Sequence, residues 1–163
     1  MDRKVKGFTL IELLVILSII AIVLSITIPQ FTKWKKKYDV QYDIKNIYTL
    51  IQDARMKSFV EKKVCGLYWG TTSEFKKIYE RCDTDYDGEI NDSGGYVDIT
   101  ILNLKSKFKS SNSTYTYIKF SRGVVVNFDS IYLTDLNEEE VNNCVAVSVT
   151  RAKTGSWNGT DCN

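Results

Sequence analysis

Oxygen-bearing side chains alternate along one short stretch, Asp83-x-Asp85-x-Asp87-Gly88-Glu89-x-Asn91, between Cys82 and Asp92. Carboxylates at every second position can converge on a hard cation, and a glycine at the sixth place permits the sharp turn such a loop needs. Calcium is therefore the candidate cofactor, with Asp83, Asp85, Asp87, Glu89 and Asn91 as its ligands. The twelfth position, which in a calcium loop holds a bidentate glutamate, is Gly94. The same composition suits a hairpin loop whose Asp and Asn side chains cap their own backbone, and both readings stand at this point.

Other chemistry is limited by what the chain lacks. It has no histidine, which removes His-activated nucleophiles, His general bases and His metal ligands. With no nucleophile motif either, a membrane-tethered enzyme is the weakest reading, and the expectation is a protein without catalytic residues. Four cysteines, Cys65, Cys82, Cys144 and Cys162, contain no Cys-x-x-Cys pair, so zinc-knuckle and thioredoxin spacings are absent. An even number beside a membrane anchor reads as two disulfides in an oxidising compartment. Of the three connectivities, the sequence-local one, Cys65 with Cys82 and Cys144 with Cys162, is preferred.

A second acid stands where acids are rare. Glu12 lies near the start of an apolar run from Phe8 to Ile28, which measures roughly 31 Å as a helix, the thickness of a bilayer core. A lone carboxylate there costs a few kcal/mol, about 2.5–3.5 on insertion scales, so it implies a partner. Gly7 separates this run from a short charged leader, and Pro29 ends it.

Gly7-Phe8-Thr9-Leu10-Ile11-Glu12 after a charged leader resembles the type IV prepilin signal. The resemblance implies cutting after Gly7 by a prepilin peptidase, N-methylation of Phe8, and pairing of Glu12 with the Phe8 amine of a neighbouring subunit during assembly. Opposite charges attract strongly at low dielectric, and pairing removes the penalty on the buried carboxylate. An ordinary secretory signal would have a shorter apolar region ending in small residues. A plain single-pass anchor explains the length of the run but neither Glu12 nor Gly7-Phe8.

Charge gives no orientation by itself. Arg3, Lys4 and Lys6 flank the span on one side, and Lys33, Lys35, Lys36 and Lys37 on the other. The cysteines favour a C-terminal domain outside the cytosol, which the resemblance also implies. Loss of residues 1–7 would leave equal numbers of basic and acidic side chains, so global charge argues for no polyanionic partner.

Behind these residues the chain divides into four parts. Positions 1–7 are the leader, and 8–29 the half of a long helix that lies in membrane or filament core. Positions 30–62 continue as an amphipathic half, with Val40, Ile44, Ile47, Ile51 and Ala54 at spacings of three and four. Pro29, the only proline, predicts a bend or local melting between the halves. Residues 63–163 read as β, with strands at 64–69, 75–82, 96–102, 113–120, 124–128, 131–133 and 144–151. Segments 106–113 and 137–143 read as surface loops. Asn91, Asn112 and Asn158 open Asn-x-Ser/Thr triplets to which no role is assigned. The expected fold is α+β: a pilin-like lollipop in which the amphipathic helix is covered by one face of an antiparallel sheet.

The tail from Val149 to Cys162, with Ile118 to Gly123 and the Asp-rich loop, resembles minor pseudopilins and pilins of the GspH/FimT type. Some of that group bind DNA through a Gly-Arg-x-Arg element during natural transformation. The corresponding residues here are Thr150-Arg151-Ala152-Lys153, with the glycine and the second arginine replaced. Arg151 and Lys153 beside Trp157 are the DNA-binding alternative, by phosphate contact and base stacking. The leading expectation is a structural subunit of a type II secretion pseudopilus or a type IV pilus, spanning the inner membrane once with its C-terminal domain periplasmic. Its partners would be the prepilin peptidase, other pilin subunits, the inner-membrane assembly platform and the lipid bilayer.

Overall fold

The computed structural model describes residues 7–71, 73–135 and 142–163; the leader positions 1–6 and most of the expected acidic loop, 137–141, lie outside the described residues. One helix, α1, runs from Leu10 to Glu61. Thr9 caps its start: the Thr9 hydroxyl accepts the Glu12 amide at 3.3 Å and its carbonyl accepts the Leu13 amide at 3.2 Å. Lys62, at φ 57°, ends it in the left-handed conformation that commonly follows a helix C-terminus.

Pro29 does not melt the helix. The backbone stays helical through it, because a proline removes a single bond from a ladder that continues on both sides. The chain separates into two compact units at Lys37/Tyr38, later than the change in composition at Pro29. Burial accounts for the position, since Val40 is the first buried residue of α1.

In the second unit, α1 buries Val40, Ile44, Ile47, Leu50, Ile51 and Ala54 against sheet residues that include Leu67, Ile78, Phe108, Ile118 and Ile131. Fully burying each large aliphatic side chain is worth about 1.5–3 kcal/mol, so this face alone secures the helix to the sheet.

The sheet is antiparallel and eight-stranded: β1 (Val64–Tyr68), β2 (Phe75–Asp83), β3 (Tyr96–Ser110), β4 (Tyr117–Ser121), β5 (Val124–Val125), β6 (Asp129–Leu133), β7 (Cys144–Val147) and β8 (Ala152–Gly155). Its order is β5-β4-β1-β2-β3-β6-β7-β8. Cys65 faces Cys82 across β1 and β2 and is bonded to it; Cys144 of β7 is bonded to Cys162 of the tail.

Four expected segments differ, and of the 124–128 run only Val124–Val125 is strand. The supposed 106–113 loop is strand as far as Ser110, because Phe108 and Ser110 pair with Leu133 and Ile131 of β6. Residues 113–116 are not strand; Asn112 accepts the Thr114 amide in a local turn, and β4 begins at Tyr117. The run 144–151 is β7 and the turn that leads into β8, closed by the Ser148 amide to the Arg151 carbonyl at 2.9 Å. Arg55 of α1 holds this turn by donating to the carbonyls of Thr150 (2.9 Å) and Ser148 (3.0 Å).

A charged contact fixes α1 against β3. Between Asn103 and Phe108 the β2–β3 register slips, and the freed amides of Lys105 and Ser106 both donate to Asp43 Oδ2, at 2.9 and 2.8 Å. Asp43 is fully buried, and burial pushes its carboxyl above the usual range against the pull of those two amides. Asp43→Ala strands both amides, and the expected loss of stability is about 2–4 kcal/mol in denaturant unfolding. Asp43→Asn, which keeps an acceptor oxygen, is expected to lose less, and stability unchanged in the alanine variant would contradict this reading of the bulge.

Candidate functional site

The first half of α1 is apolar on every side and covered on none. From Leu10 to Ile28 its large side chains range in exposure from 44 % at Ile16 to 82 % at Leu10. Its length and composition suffice to cross a membrane. The hydroxyls within it are satisfied by the helix itself: Ser18 donates to the Val15 carbonyl, Ser25 to Ile22 and Thr27 to Val23, at 2.7–2.8 Å. Such back-bonding lets a hydroxyl sit in hydrocarbon without an outside partner.

Glu12 has no comparable solution. Its amide is taken by the Thr9 cap, but no Lys or Arg follows it before Lys33, roughly 30 Å further along the helix. The spacing Thr9-x-x-Glu12 is a helix-start signature that sequence reasoning passed over. Gly7 and Phe8 precede the helix in irregular backbone; both are exposed, Phe8 by 77 %.

The Asp-rich loop joins β2 to β3. Carboxylate oxygens of Asp83, Asp85 and Asp87 lie within 4.8 Å of one another. Asp83 is buried and already occupied: Oδ1 accepts the amides of Asp85 (3.1 Å) and Tyr86 (2.8 Å), and Oδ2 that of Gly88 (2.8 Å). Gly88, at φ 82°, makes the turn. The other two expected ligands serve elsewhere. Glu89 pairs with Lys119 Nζ at 2.9 Å, which also donates to the Gly88 carbonyl at 2.8 Å. Asn91 Oδ1 accepts the Ser93 amide, and its Nδ2 donates to Glu89. Three carboxylates fall short of the six to eight oxygens calcium takes, and an ammonium from β4 already neutralises the loop from one side.

Residues outside the motif hold the loop to the sheet. Ile90 is fully buried beside Gly66, where a Cβ would stand 2.7 Å from the Ile90 side chain and 2.1 Å from the Ile118 carbonyl oxygen. Arg81 lies between the rings of Tyr68 (3.9 Å) and Tyr96 (3.8 Å) while bonding Asp98 at 2.6 Å and Asp92 at 2.9 Å. The Tyr68 hydroxyl donates to Asp92 at 2.6 Å, and burial with this bond pushes it up to about 12. Hydrogen bonds from Tyr68 and Arg81 hold the Asp92 carboxyl below the usual range.

Arg151 and Lys153 are exposed on the β7–β8 hairpin, Lys153 opposite Ala146. Trp157 is not a bare stacking surface: it lies parallel to Tyr132 with ring centroids 4.1 Å apart. One face of the indole is thereby taken.

Comparison with known proteins falls on the same two regions. Residues 2–28 match the family described as the prokaryotic N-terminal methylation motif. Two crystal forms of the type IV minor pilin FimU of Pseudomonas aeruginosa share the fold. They superpose with TM-scores of 0.57 and 0.55 at 10 % and 11 % identity, covering 76 % and 71 % of this chain and 92 % of theirs. No curated protein matches the chain in sequence.

A methylation motif leading an apolar helix, continued into a helix-on-sheet domain, defines the class of pilin-fold proteins. The chain carries the N-terminal methylation motif and has the fold of the type IV minor pilin to which it is similar.

For the Asp-rich loop, the arrangement predicts a melting temperature unmoved by millimolar calcium, since protein donors already close it. A rise of several degrees, abolished by Asp85→Asn or Asp87→Asn, would show a cation completing the loop instead.

Proposed function

We propose that the chain is a minor structural subunit of a type IV pilus or of the related secretion pseudopilus. Its first residues would be removed at Gly7-Phe8 by a prepilin peptidase, and the new Phe8 amine methylated. The observation that carries this reading is Glu12, a carboxylate in the first turn of an exposed apolar helix with no cation near it in the following sequence. An amine at Phe8 of another subunit supplies the missing charge and sets the axial register between the two.

Before assembly the subunit rests in the cytoplasmic membrane with its β-domain on the far side from the cytosol. Two disulfides in a small domain accord with that compartment. Other pilins and the assembly platform are the partners, and the catalysis belongs to the enzyme that processes it. FimU is itself named a minor pilin, which agrees with this role. A DNA-uptake role rests on Arg151 and Lys153 alone, and no observation favours it over structural assembly.

Intact mass and N-terminal sequencing of protein isolated from its host test the proposal. The expected chain begins at Phe8 with a methylated amine. A chain that retains Met1 would overturn it.

A further inference from the structure

Beyond the apolar span, α1 carries Lys33, Lys35, Lys36 and Lys37, with Phe31 and Trp34 among them. The two rings lie 6.1 Å apart and are 58 % and 62 % exposed; Lys33, Lys35 and Lys36 are exposed and Lys37 half-buried. At about 100° per residue, positions 33, 36 and 37 share one face and position 35 lies on the other. The cations thus form a collar around the helix.

We infer that this collar binds anionic phospholipid headgroups at the membrane face the span reaches last. The inference rests on the reading of the first half of α1 as a membrane span. Depth fits: a run of roughly 31 Å from Phe8 to Ile28 fills the hydrocarbon, and the residues after it enter the headgroup zone. Lys33 stands about 7.5 Å and Lys37 about 13.5 Å past Ile28 along the helix, so the collar begins at the outer edge of the headgroup zone, roughly 5–7 Å thick, and its cations lie within about a Debye length of that layer.

Distribution fits as well. A protein partner approaches a helix from one side, whereas a headgroup layer surrounds it, and only a surrounding partner uses lysines on opposed faces. Trp and Phe at the same level are the ring residues that favour this zone. Lysines near an anionic surface each add attraction, so the collar holds the subunit at a fixed depth. It also explains cations on the side that orientation rules leave poor in them.

The test uses the full chain carrying Arg3→Gln, Lys4→Gln and Lys6→Gln, which silences the opposite flank. It is placed in vesicles of phosphatidylcholine with a minor share of phosphatidylglycerol, and the lipid retained after mild detergent extraction is measured by mass spectrometry. Phosphatidylglycerol is expected to be enriched about fivefold or more over its bulk share. Adding Lys33→Gln, Lys35→Gln, Lys36→Gln and Lys37→Gln is expected to return it to that share. No enrichment, or enrichment that survives the four substitutions, would overturn the inference. Enrichment that survives while incorporation into filaments is lost would do the same and assign the collar to an acidic protein surface. Alkaline carbonate extraction of the vesicles is run first: a chain released there would overturn the span itself, a failure distinct from that of the collar.

Discussion

A helix with apolar side chains on all sides cannot remain in water. For the first half of α1, the surroundings that satisfy it are a bilayer or a bundle of similar helices, since the 18-residue window that marks the apolar stretch is wholly unburied among the described residues. Burial of apolar surface is worth about 25 cal/mol per Å², so the transfer between those two surroundings is nearly neutral for the hydrocarbon. What distinguishes them is the polar remainder. Ser18, Ser25 and Thr27 are satisfied within the helix, and the Glu12 carboxylate has no such bond among the described residues. In the proposed assembly a neighbour's amine would remove the cost that this carboxylate carries in lipid.

The second unit depends on none of this. Its core joins α1 from Val40 onward to the sheet, and its loops are held by contacts within the domain. Asp43 fixes β3 to the helix, Arg55 fixes the β7–β8 turn, and Arg81 with Lys119 fixes the Asp-rich loop. The disulfide from Cys144 to Cys162 ties the tail to β7, closing a loop worth about 3 kcal/mol in the chain-entropy account.

The amphipathic face of α1 and most strands were legible because they are periodic: spacings of three and four, or of two, survive without knowledge of partners. What escaped depends on residues distant in sequence. Nothing near Lys105 announces that its amide meets Asp43, and the bulge that lengthens β3 exists because of that meeting. Glu89 resembled a cation ligand until Lys119, on another strand, was seen to hold it. The 144–151 run has a single uninterrupted β composition, and its turn is made by hydrogen bonds to Arg55 that composition does not encode. The Thr9–Glu12 cap was local and readable, but the acid drew attention as a charge in lipid rather than as a helix start.

The central claim is that Glu12 is a contact between molecules. It is tested by producing Glu12→Ala beside the unaltered chain in the same cells and comparing the share of each recovered in sheared filaments with its share in the membrane. The account predicts equal membrane levels with the variant nearly absent from filaments. Equal recovery of both chains in filaments would contradict it.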